Sequence, residues 1–154
     1  MTRSDTTETR PGLHTLAQLK TRHSKATQAS TVRIELPIPT STNMLTRPGR
    51  NGVGKFDTDE YKQWQADAAG YLLSAPRAAF SVPVEITLTL EGGSGFSTAR
   101  DADNCVKAVF DFLVNSNIIE GDTVKHIPKH TVQYVQPPAP KQPARCWVEI
   151  REAV

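Results

Sequence analysis

Cysteine is scarce in these 154 residues: Cys105 and Cys146 are the only two. One lies in a helical pattern and the other in a strand pattern, without metal-type spacing. That excludes a disulfide-stapled scaffold and a zinc module, and leaves free buried thiols in a reducing compartment as the expectation. Long apolar runs are missing too. Nothing approaches the roughly 20 residues needed to cross a bilayer, and no basic-then-apolar leader opens the chain. No membrane partner and a cytoplasmic location are therefore expected. Residues 1–30 have no aromatic, valine or isoleucine side chains and are rich in Thr and Ser, so they are expected to form a flexible basic arm. Leu13, Leu16 and Leu19 supply at most a helical turn or two there, and His14 and His23 have no obvious metal partners.

A surplus of one charge sign is also absent. The net charge is only +2. Residues 1–30 hold five basic and two acidic side chains, whereas the rest hold thirteen basic and fourteen acidic. A phosphate-bearing partner would have to be held by local basic clusters, with affinity that falls as salt rises. The length suits one domain over residues 31–154 behind the arm.

The regular patterns come in a clear order. Val32, Ile34 and Leu36 alternate with Arg33 and Glu35, a strand that Pro37 and Pro39 end. Thr40 to Phe56 is rich in turn residues and reads as a long excursion or a ragged hairpin, with Arg47, Arg50 and Lys55 placed to meet a DNA backbone. Within it, Gly49 to Lys55 fits the start of a phosphate-binding P-loop. However, Phe56 stands where Ser or Thr must hold Mg²⁺, and no parallel-sheet context surrounds it, so a nucleotide site is rejected. Asp57 and Glu60 have capping-box spacing, and Tyr61, Trp64, Ala68, Tyr71 and Leu72 continue as a helix that Pro76 closes. Its aromatic stripe reads as core packing, and Gly70 as a weak point where another element approaches.

Val82 to Leu90 alternates as a strand with one buried and one polar face, and Gly92 to Gly95 then forms a mobile loop. Pro128 interrupts a bent strand over Thr123 to Val135. His126 and His130 within it are not expected to ligate. Arg145 to Arg151 is the last strand, with Cys146, Val148 and Ile150 on one side and Trp147 and Glu149 on the other. The resulting order, β, hairpin or loop, α, β, α, β, β, predicts an α+β fold with two helices on a mixed sheet.

Most of the chemistry is concentrated between Arg100 and Asp122. Asp101 and Asp103 precede an amphipathic helix whose apolar face is Val106, Val109, Phe110 and Leu113, with Asp103 expected as its N-cap. Asp103, Lys107 and Asp111 follow at i, i+4 and i+8 along one edge of that face. Ile118 and Ile119 then lead to Glu120, Gly121 and Asp122, where a short loop is expected to fold Asp122 back towards Asp101. Each feature alone is ordinary capping, an i,i+4 pair or a turn. Together, three convergent carboxylates and a lysine supply hard oxygen ligands for Mg²⁺ or Mn²⁺ and a cation for a phosphate oxygen.

The run Asp101-Ala102-Asp103-Asn104, then Lys107, Phe110-Asp111 and Asp122, resembles the signature of RusA-type Holliday junction resolvases. The likeness extends to Leu36-Pro37-Ile38-Pro39 with Ser41 and Asn43, and to the helix around Tyr61, covering roughly residues 31–151. It implies a homodimeric Mg²⁺-dependent endonuclease, with Mn²⁺ able to substitute, that cuts four-way junction DNA in recombination and repair. A phage or prophage setting is common in the family. Asp101, Asp103 and Asp122 would be catalytic and metal-binding, Lys107 catalytic, and Arg47, Arg50, Lys55 and Arg100 DNA-binding. The family often carries two adjacent acids at the last site; here the first is Gly121, with Glu120 one residue earlier. A junction-binding protein that has lost cleavage is the alternative. Asp101-Ala102-Asp103 is also the DxD of sugar-nucleotide transferases, but these need a larger nucleotide fold and give Lys107 and Asp122 no role.

Overall fold

The computed structural model describes residues 31–139 and 141–154. The expected flexible arm, with Leu13, Leu16, Leu19, His14 and His23, lies outside them. The described elements run β1 (Val32–Pro37), β2 (Thr46–Pro48), β3 (Lys55–Asp57), α1 (Asp59–Leu72), β4 (Val84–Glu91), α2 (Val106–Asn115), β5 (Lys129–Val135) and β6 (Arg145–Glu152). This is the expected α+β order.

Four strands form one sheet in the order β1-β6-β4-β5, and β2 pairs with β3 in a separate ribbon. The sheet is mixed. β6 runs antiparallel to both β1 and β4, while β4 and β5 are parallel and joined through α2. Strand alternation turns Ile34, Leu36, Val84, Ile86, Leu88, Leu90, Cys146, Val148 and Ile150 into the core, none more than 2% exposed. Helix periodicity brings Tyr61, Trp64 and Ala68 of α1, and Ala108, Val109, Phe110, Phe112 and Leu113 of α2, into the same core. Trp64 meets Phe112 edge-on at 5.5 Å, and its Nε1 donates to the Pro37 carbonyl at 3.2 Å. Both cysteines are free and buried, as expected.

Several expectations shift on contact with the structure. The N-cap of α1 is Thr58, whose side chain accepts from the Tyr61 N–H at 3.1 Å; Asp57 is used instead as the last residue of β3. α2 is preceded by a 3₁₀ turn over Ala102–Cys105 with Asp101 as its N-cap, so Asp103 sits inside the first turn and caps nothing. Pro128 precedes β5 and does not interrupt it, because residues 123–127 form a turn in which the Thr123 carbonyl accepts from His126 and Ile127.

The Gly92 to Gly95 segment is tied down as a structured connection. Gly92 and Ser94 donate to the Val135 and Gln142 carbonyls, and the Phe96 ring stacks on Tyr134 at 5.4 Å. The second face of β4 is not uniformly solvated. Glu91 is 8% exposed, accepting from Arg145 Nε at 2.8 Å and Trp147 Nε1 at 3.2 Å. Gly70 meets no close neighbour, and a Cβ there would point into open space. No helix among the described residues is long and apolar enough to cross a membrane.

Candidate active site

α2 and the segment after it build a cleft of about 320 Å³ against the start of α1. Asp57, Tyr61, Gln65, Lys107, Asp111 and Asp122 are among its charged and polar walls. Lys107 and Asp111 are one helical turn apart, which places both side chains on the same stripe of α2. Asp122 arrives from beyond the helix. Ser116 and Asn117 close α2, Asn117 taking a left-handed backbone with φ 56°, and the Ile118 and Ile119 N–H groups both turn back to the Leu113 carbonyl. Ile118 and Ile119 then bury at 6% and 4% exposure and pin the return.

Lys107 is the hub. Its Nζ donates to Asp111 Oδ1 at 2.5 Å and to Asp122 Oδ2 at 3.1 Å. The Asp111 hydrogen bond, with that of Asp122 behind it, holds the ammonium above the usual lysine range against partial desolvation. Lys107 therefore stays charged throughout the neutral range. Burial, reinforced by the negative charge of Asp111, pushes the Tyr61 phenol up and keeps it protonated.

The other expected residues are placed differently. Asp101 is exposed and accepts from Asn104 Nδ2 at 3.0 Å, and Asp103 is exposed on the 3₁₀ turn. The ion-pair partners of Lys107 are Asp111 and Asp122, with Asp103 outside the set. Among the described residues, no three His, Cys, Asp or Glu side chains stand together as a ligand group. In kind, the carboxylate oxygens of the acidic turn and the cleft suit a hard divalent cation, since no thiol or imidazole lines the cleft. Arg100 is half-buried and donates through Nη1 to the Pro39 carbonyl at 2.6 Å, bracing the chain between β1 and the ribbon. Arg47, Arg50 and Lys55 are exposed on the β2–β3 ribbon.

Sequence reasoning missed Asp57, Tyr61 and Gln65 as cleft residues. Helical spacing marked Tyr61 as core, which it is at 4% exposure, and gave no sign that its position also borders the cleft. Gly121 gains a reason as well. A Cβ at that position would lie 2.6 Å from His126 Nδ1, so the imidazole, hydrogen-bonded to Thr123 Oγ1 at 3.1 Å, occupies the room a longer side chain needs. No protein-family model matches the chain, and no curated protein matches it.

Proposed function

We propose that this cleft is the active site of a Mg²⁺-dependent endonuclease that resolves four-way DNA junctions by paired, symmetric hydrolysis of phosphodiester bonds. One observation carries the reading. Asp122, fifteen residues beyond Lys107, returns to within hydrogen-bond reach of it, while Asp101 and Asp103 stand on the turn that opens the same helix. These four positions are the ones the resemblance to RusA-type resolvases marks out.

Asp101, Asp103 and Asp122, which do not stand together as a ligand group without it, would have to draw in around the divalent ion, which when bound would supply an activated water and neutralise charge at the scissile phosphate. The protein's own contribution is positional and electrostatic. Asp111 keeps Lys107 charged and aimed, and the ammonium faces the phosphate oxygens on which negative charge grows as water adds and the P–O ester bond breaks. A junction offers two symmetry-related phosphates, and a two-fold homodimer presents a matching pair of clefts.

The test is a labelled synthetic junction and a matched linear duplex, each with Mg²⁺ or EDTA. Paired nicks on the junction alone, dependent on metal, are expected, with Asp101→Asn, Asp103→Asn and Asp122→Asn each losing cleavage while still binding. Loss of binding in all three would refute the assigned roles. A second reading, junction binding without cleavage, draws on Gly121, because the His126 ring leaves no room there for the family's second acid. Retarded but uncut junction is its signature.

A further inference from the structure

Charge is distributed unevenly over the described domain. Residues 42–56 carry Arg47, Arg50 and Lys55 and no acid, whereas the rest of residues 31–154 hold ten basic and fourteen acidic side chains. The β2–β3 hairpin with its approach is thus a basic island, and it also exposes apolar surface. Val53 is 74% exposed, Phe56 58% and Met44 47%. Solvated turns have no need of such side chains, and their proximity to three cations is a composition suited to nucleic acid.

The hairpin is held firmly and rooted at the candidate site. Its turn is closed by Gly49 N–H to the Gly54 carbonyl at 3.0 Å and Gly52 N–H to the Gly49 carbonyl at 2.9 Å. Asn51, Gly52 and Gly54 take φ of 70°, 74° and 76°, the left-handed values that suit glycine and asparagine. At its base, Thr42 Oγ1 donates to the Asn104 carbonyl on the acidic turn at 2.7 Å, and Thr58 N–H donates to the Leu45 carbonyl at 3.0 Å. Asp57, the last residue of β3, lines the cleft.

The Phe56 ring has a particular seat. A Cβ at Gly49 would stand 2.6 Å from its Cε2, and one at Gly54 3.8 Å, so the ring lies over bare glycine backbone. One side of the ring is thereby supported while more than half of the residue remains open to solvent. Arg47 is its cross-strand partner and shares that face of the ribbon, while Lys55 lies on the other face with Asp57.

The geometry points to the β2–β3 hairpin as a branch-sensing finger, in which Arg47, Arg50 and Lys55 hold phosphates and Phe56 stacks on a nucleobase left unstacked where strands exchange. The inference rests on the reading of the cleft as a junction nuclease and adds a source of junction selectivity to it. Aromatic stacking accepts any base, so such a finger favours open structure over sequence.

The experiment compares wild type, Phe56→Ala, Phe56→Trp and Arg47→Ala in binding a junction with 2-aminopurine at the branch point and a matched duplex. Wild type is expected to quench or enhance the probe and to prefer the junction. Phe56→Ala should lose about tenfold of that preference and the probe response, with duplex affinity unchanged. Phe56→Trp should keep both, its own fluorescence quenched on binding. Arg47→Ala should weaken both ligands alike and flatten the salt dependence by about one phosphate contact. Phe56→Ala with unaltered junction preference, while wild type still cuts junctions, would overturn the finger and leave the cleft reading standing. Conversion of a dimer to a monomer by Phe56→Ala would overturn it by showing that the ring contacts a second copy. Failure of wild type to bind junctions would remove the cleft reading and the finger together.

Discussion

At position 121 the choice of residue is decided by a neighbour. Because His126 Nδ1 would lie 2.6 Å from any Cβ, Gly121→Asp has to displace the imidazole and break its hydrogen bond to Thr123. We expect Gly121→Asp to cost about 1–2 kcal/mol in urea denaturation, in the range of losing a hydrogen bond and overpacking. Adding His126→Ala should recover most of that loss; a double variant no more stable than Gly121→Asp alone would show that the clash is not the cause. Glu91 makes a separate claim. The Arg145 hydrogen bond, supported by Trp147, holds its carboxyl below the usual range. A lowered folded value contributes stability above the unfolded pKa of about 4.3, and loses it as pH falls through the folded value. Glu91→Gln should therefore be less stable at pH 7 and show a shallower decline towards pH 3, measured by urea midpoints. The Lys107–Asp111 pair was legible as an i,i+4 spacing, but the room around Gly121 was not, since it is set by a side chain folded back from a later turn.

Among the elements, α1 shows how two adjacent sequence signals compete. Asp57 and Thr58 are both good caps, and pairing settles the matter: Asp57 is aligned opposite Thr46 in the ribbon, leaving Thr58 to accept from the Tyr61 N–H. Thr58→Ala should cost about 1 kcal/mol of stability, read by thermal or chemical denaturation, and Asp57→Ala markedly less. Equal effects would return the cap to Asp57. The same competition moved the start of the second helix. A 3₁₀ turn takes Ala102–Cys105, which lifts Asp101 and Asp103 outwards and leaves Lys107 in the first turn of α2. Alternation marks β1, β4 and β6 in the sequence, because burial on one face repeats every second residue.

For the whole molecule, the proposed chemistry makes a demand on assembly. Paired nicks in a four-way junction require two clefts in one particle, so sedimentation equilibrium should show a homodimer, and a junction should bind one dimer. A species that stays monomeric with junction present would contradict this. Element order, the alternation of the core strands, the amphipathic face of α2 and the acidic composition of the Arg100 to Asp122 stretch were determined by the sequence itself, because each depends on neighbours within a few residues. Tertiary structure alone decided the strand order β1-β6-β4-β5, the pairing of Asp122 with Lys107, the burial of Glu91 between Arg145 and Trp147, and the seat of Phe56 on glycine backbone. Those arrangements join residues distant in the chain or depend on where neighbouring side chains settle, and local spacing carries no record of which contact packing will choose.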